Sequence, residues 1–180
     1  MSRLPDSIQN LIDAPAPLGP DRDANALSES EVRQKAGEAI KEAGLTGTPA
    51  QLFLSAALLM NDHLDASHSI SQDIGSASGS MLHGIMHRRE PDYGNARYWW
   101  ARTGNHPCFI ELAEKVTDFL DDENADTLLN RIVRNGNWDP IGMTDAVADA
   151  ERGRLDAETV QLLKQVQKLE VETLLEYELA

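Results

Sequence analysis

Only one cysteine, Cys108, stands among the 180 residues, so the chain forms no disulfide within itself. It sits in no nucleophile motif and reads as a small core residue. Basic side chains are also scarce: 16 Lys and Arg face 30 Asp and Glu, giving a formal net charge of −14. A surface this negative repels phosphate backbones and anionic lipid, because the electrostatic part of such binding requires clustered cations. Nucleic acid is therefore excluded as the expected partner. No run approaches the ~20 apolar residues that a membrane span needs, and the opening MSRLPDSIQNLIDAPAPLGP lacks the basic-then-apolar order of a secretory signal. These absences predict a cytoplasmic protein that does not engage a membrane. Strand-like alternation is missing too, which predicts an all-α fold.

What is present reads as helices between clear stops. Pro5, Pro15, Pro17 and Pro20 break up the start, so residues 1–29 are expected to form an irregular arm with at most one turn around Ile8 to Ile12. Residues 30–180 are expected to form a single compact all-α domain of about seven principal helices. Ser28 with Glu31 has capping-box spacing, and Thr48, Pro49 and Gln51 supply an N-cap, a first-turn proline and an N3 partner. Further helices are predicted over Pro49 to about Ile74, 80–89, 92–103, 107–120, 125–134, 139–150 and 156 to about 177. Trp138 and Leu179 are candidate anchors for a homodimer, or ordinary core.

On the Pro49–Ile74 helix, Asn61, Asp65, His68 and Gln72 recur at spacings of four, three and four and share one narrow sector. If that sector faces protein, each polar group needs a partner; if it faces water, it is a solvated stripe. His63 falls toward the apolar side as a packed or capping histidine. The next helix carries His83 and His87 one turn apart, with Gly84 leaving room for close approach. Two histidines at that spacing can chelate a divalent transition metal, and His68 offers a third nitrogen, with Asp65 or Glu90 as an oxygen donor. The His-Glu-x-x-His order of zinc peptidases is absent, and histidines bonded to carboxylates are the structural alternative.

The stretch Met81 to Phe109 holds three of the five histidines, four of the basic residues and two of the three tryptophans. It is a cationic island in an acidic chain. Arginine forks bind carboxylate or phosphate, so Arg88 and Arg102 are candidate anchors for a small anionic molecule, with Gln72, Glu90, Asp65 and Asn95 orienting it and His68, His83 and His87 as acid-base groups or metal ligands. The competing expectation is that these arginines pair internally. Glu170 lies inside the apolar sector of the last helix and needs a partner, for which an island arginine is a candidate.

The segment PDYGNARYWWARTGNHP resembles half of a tetratricopeptide or Sel1-like unit, which implies local helix-hairpin packing. More broadly, LHGIMHRREPDYGNARYWWARTGNHPCF, with NDHLDASHSISQ upstream and NWDP and QKLEVETLLEYEL downstream, resembles a family of uncharacterised, mainly bacterial helical proteins. The resemblance spans roughly Leu52 to the C-terminus. It implies that the polar block belongs to the whole family as a shared site, and it brings no reaction with it. Two functions are thus expected to compete: a binding site or enzyme for a small anionic molecule between the central helices, and a helical interaction module whose polar cluster locks helix crossings.

Overall fold

The computed structural model describes residues 3–13 and 16–180; Met1, Ser2, Ala14 and Pro15 of the expected arm lie outside the described residues. The fold is all-α. Among the described residues ten helices follow in order: α1 (Asp6–Ile12), α2 (Glu29–Glu42), α3 (Gly47–Met60), α4 (Leu64–Ser71), α5 (Ala77–Arg89), α6 (Tyr93–Thr103), α7 (Cys108–Asp122), α8 (Asp126–Ile132), α9 (Pro140–Glu151) and α10 (Ala157–Glu178). Between α8 and α9 the described residues contain one small antiparallel hairpin, β1 (Val133–Arg134) with β2 (Asn137–Trp138), pairing Val133 with Trp138. The helix expected to continue to Arg134 therefore stops at Ile132.

Side-chain caps start five of the ten helices. Ser28 accepts from the Glu31 amide while the Glu31 carboxylate accepts from the Ser28 amide, completing the capping box. Asp92 caps α6 through the Asn95 amide at 3.1 Å, and Asp156 caps α10 through the Thr159 amide at 2.7 Å. The α3 start differs from expectation. That helix begins at Gly47 with Thr46 at the N-cap and no side-chain cap.

The larger correction is at Pro49–Ile74, which is two helices. Asp62 adopts a left-handed conformation (φ 64°), ending α3 and redirecting the chain into α4. Asp and Asn tolerate this region better than other side-chain-bearing residues. Two long-range contacts hold the break: Asn61 donates to the Leu11 carbonyl at 2.9 Å, and Arg89 meets the Asp62 carboxylate at 2.6 Å. Beyond its exposed first turn helix α3 is largely apolar and buried, with Leu52, Phe53, Ala56, Leu58 and Leu59 fully enclosed. Helix α4 is different: it contributes only the partly buried Leu64, Ala66 and Ile70 to the hydrophobic cluster.

Residues of the expected irregular arm carry α1, whose Ile8 and Ile12 are core residues, as are Ala16 and Leu18 beyond it. The arm is bonded down as well as packed. Gln167 on α10 donates to the Pro17 carbonyl at 3.1 Å, and Arg89 to the Gly19 carbonyl at 3.4 Å. Trp138, one of the two candidate dimer anchors, is only 4% exposed and belongs to the core.

Helix α5 is enclosed from Ser78 to Arg89. On one side the Trp100 ring lies against Gly84, where a Cβ would stand 3.0 Å from the ring, and the indole N–H reaches Thr144 of α9 at 3.0 Å. On another, the fully buried Arg88 donates to both Glu170 oxygens, at 3.0 and 2.5 Å, and to Gln167 at 3.3 Å. Burial raises the Glu170 pKa, against the opposing pull of Arg88. Arg88→Met should strand that carboxylate and cost about 3–5 kcal/mol, whereas Arg88→Met with Glu170→Leu should regain most of the loss. Urea denaturation measures both; equal losses in single and double variants would contradict the pairing argument.

Candidate metal centre

Helix geometry brings His83 and His87 to one face of α5, and the redirected α4 delivers His68 to the same place. Their nearest ring nitrogens lie within 4.8 Å of one another. Ring centroids are 4.7 Å apart for His68–His83, 5.2 Å for His68–His87 and 4.7 Å for His83–His87. His83 is 1% exposed and His87 7%, while His68 is half-buried.

The outer nitrogens have their own neighbours. Ser71 donates to the His68 carbonyl at 3.4 Å, leaving its oxygen free to accept from His83 Nδ1–H at 3.3 Å. His87 Nδ1 lies 3.1 Å from Glu90 Oε2, off the direction of a hydrogen bond but at ion-pair distance, and it has no other polar partner. The Ser71 contact favours a proton on His83 Nδ1 and a lone pair on its Nε2, and a proton on His87 Nδ1, facing Glu90, would do the same for that ring. The two Nε2 atoms are 3.0 Å apart. At that distance either His87 donates its Nε2–H to the His83 lone pair as a neutral hydrogen-bonded pair, or two lone pairs face a shared cation, a proton or a metal ion.

Burial works against the proton. Desolvation, then the proximity of His87 and His68, pushes the His83 pKa from 6.5 down to about 4. His87 is lowered too, by desolvation first, against the raising effect of Glu90. Trp99 stacks on His83 at 4.0 Å and 23° and covers that ring, and the Arg102 guanidinium sits 5.3 Å from the Trp99 centroid and 5.9 Å from Tyr98.

Other candidates divide sharply. Arg88 is no anion anchor, because Glu170 and Gln167 occupy its fork in the core. Arg102 is exposed, and among the described residues no carboxylate lies within ion-pair distance of it. Glu90 reaches the centre through His87. Asp65 is exposed one turn before His68 and lines a cleft of about 430 Å³ with Glu29, Asp62 and Glu90. Gln72 is the exposed C-cap residue of α4, and Asn95 is an exposed residue bonded to Asp92 at 2.8 Å; neither is brought to the histidines by a bonded contact. His63 bonds the Leu27 carbonyl at 2.8 Å, a structural role as expected.

Two participants escaped the sequence reading, Ser71 and Trp99. Trp99 carried a signal, since it shares a helix face with Asn95 and Arg102; Ser71 carried none. A second buried cluster was also missed: Ser78 Oγ lies 2.9 Å from His106 Nε2 and donates to Glu178. It is not a nucleophile pair. His106 Nδ1 accepts from the Cys108 amide at 3.2 Å, so the ring proton is on Nε2 and donates to Ser78. His106 cannot then act as its base. Cys108 is equally inert, its thiol pKa pushed up to about 12 by burial and nearby carboxylates.

The buried imidazole has a measurable consequence in metal-free protein. Its folded pKa near 4 lies below the unfolded value of 6.5, so the unfolded chain gains a proton first as pH falls. Stability should therefore drop across about pH 6.5 to 4, with His83 accounting for up to about 3 kcal/mol. Thermal unfolding in chelator at a series of pH values reads this out, and His83→Gln should flatten the slope; an unchanged slope would refute the assignment. Comparison with known proteins adds no assignment: no family model, curated protein or solved structure matches the chain.

Proposed function

We propose that this protein binds a divalent transition metal ion through His68, His83 and His87 and presents it, with open coordination positions, to a small anionic molecule. The carrying observation is the pair of Nε2 atoms 3.0 Å apart whose Nδ1 atoms are turned toward Ser71 and Glu90. A carboxylate behind a metal-ligating histidine raises its basicity, and Glu90 stands at ion-pair distance from His87 Nδ1. An all-imidazole set suits zinc, copper, iron or nickel better than magnesium or calcium.

Three protein ligands leave a tetrahedral ion one position short, as in catalytic rather than structural zinc sites. A bound ion there would act as a Lewis acid toward an oxygen ligand. Arg102 is the island arginine left to meet that ligand's negative charge, since Arg88, Arg89 and Arg97 pair with Glu170, Asp62 and Asp145. Internal pairing thus supports the interaction-module reading for those three arginines, and the metal reading is carried by the histidines.

Purified protein should contain about one transition-metal ion per chain by elemental analysis. His87→Ala should lose it, because removing one of three ligands opens the shell, and His63→Ala should keep it. Added zinc or nickel at about 100 times the dissociation constant should stabilise the stripped protein by about 2.7 kcal/mol. If neither enrichment nor thermal stabilisation appears with zinc, nickel, cobalt or manganese, the proposal fails.

A further inference from the structure

We infer that the acidic cleft beside the histidines captures the metal cation from solution, and that Asp65 sets the rate of capture. This inference rests on the metal reading and extends it to how the ion arrives. The cleft is lined by Pro20, Glu29, Asp62, His63, Asp65 and Glu90 among others. Its four carboxylates are not equivalent. Arg33 pairs with Glu29 at 2.8 Å, and Arg89 pairs with Asp62 at 2.6 Å. Asp65 and Glu90, among the described residues, have no Lys or Arg at ion-pair distance, so the uncompensated charge of the cleft belongs to them.

Their positions give that charge a direction. Asp65 is exposed on the first turn of α4, and His68 follows it by three residues on the same helical face. Glu90 is in the cleft wall and also touches the centre, with its oxygen 3.1 Å from His87 Nδ1. An independent feature points the same way: of the three histidines whose ring nitrogens lie within 4.8 Å of one another, His68, which shares a helical face with Asp65, is the least buried. On another side of the centre, Trp99 covers His83. A dication entering by the cleft passes an uncompensated carboxylate in water before it meets neutral, buried imidazoles. A cleft carrying unpaired charge of one sign raises the local concentration of the opposite ion and its association rate.

The test uses the full chain, stripped with chelator and mixed with cobalt(II) alone in a stopped-flow instrument, with quenching of Trp99 against His83 as the signal. Association should slow steeply as salt rises from about 10 mM to about 500 mM, because the steering is screened. Asp65→Asn should cut the low-salt rate at least about threefold and weaken the salt dependence, while still binding one ion. Glu114→Gln, which removes an exposed charge on α7, should load like wild type. The capture role is overturned if Asp65→Asn loads at the wild-type rate, if both variants slow equally, or if Asp65→Asn binds no ion and is therefore a ligand. Each of those results leaves a metal-binding wild type standing, whereas a wild type that binds no cobalt removes both proposals.

Discussion

Two guanidinium groups without access to water govern the arrangement of this protein. Arg88 and Arg89 are each 0% exposed at adjacent positions of the innermost polar helix. A buried unpaired cation costs several kcal/mol, so each must find a fixed acceptor set. They point to opposite ends of the chain. Arg88 takes Glu170 and Gln167 from α10, while Arg89 takes the Leu59 carbonyl, Asp62 and the Gly19 carbonyl. One dipeptide thereby joins the last helix, the α3–α4 break and the N-terminal segment.

The histidine centre depends on that arrangement. If α3 ran straight on, His68 would continue along the α3 axis; the left-handed Asp62, held by Arg89, redirects α4 so that His68 reaches α5. Helix α4 has little apolar surface of its own in the core. Its attachments are polar, through Ser67 to Ser55 at 3.0 Å and Ser71 to His83 at 3.3 Å. A cation shared by His68 and the α5 histidines would add a strong link where the hydrophobic contribution is small.

Much of this was legible in local sequence. The capping residues Ser28 and Glu31, the one-turn spacing of His83 and His87, and the misplaced Glu170 each carry their meaning within a turn or two of helix. Gly84 likewise signalled a close approach, which Trp100 makes. The misreadings share a physical cause. No glycine or proline marks the break at Asn61–Asp62, and what holds it is a carbonyl 50 residues away and an arginine 27 residues away. The arm looked irregular because its prolines are local and the donors to its carbonyls, Gln167 and Arg89, are distant. Arg88 looked free for a ligand for the same reason: its partner lies 82 residues on.

The bonds between the arm and α10 also impose an order of events during synthesis. Gln167 meets the Pro17 carbonyl across 150 residues, and the Arg3 amide meets Glu176 across 173. The ribosome releases α1 long before it makes the helix that satisfies these groups, so the apolar side chains of Ile8, Ile12 and Leu18 wait without their final cover. Closing such long loops is entropically costly and slow relative to local helix formation. The nascent chain therefore completes its core only after α10 has emerged, and until then the arm's apolar side chains stay open to chaperones and to aggregation.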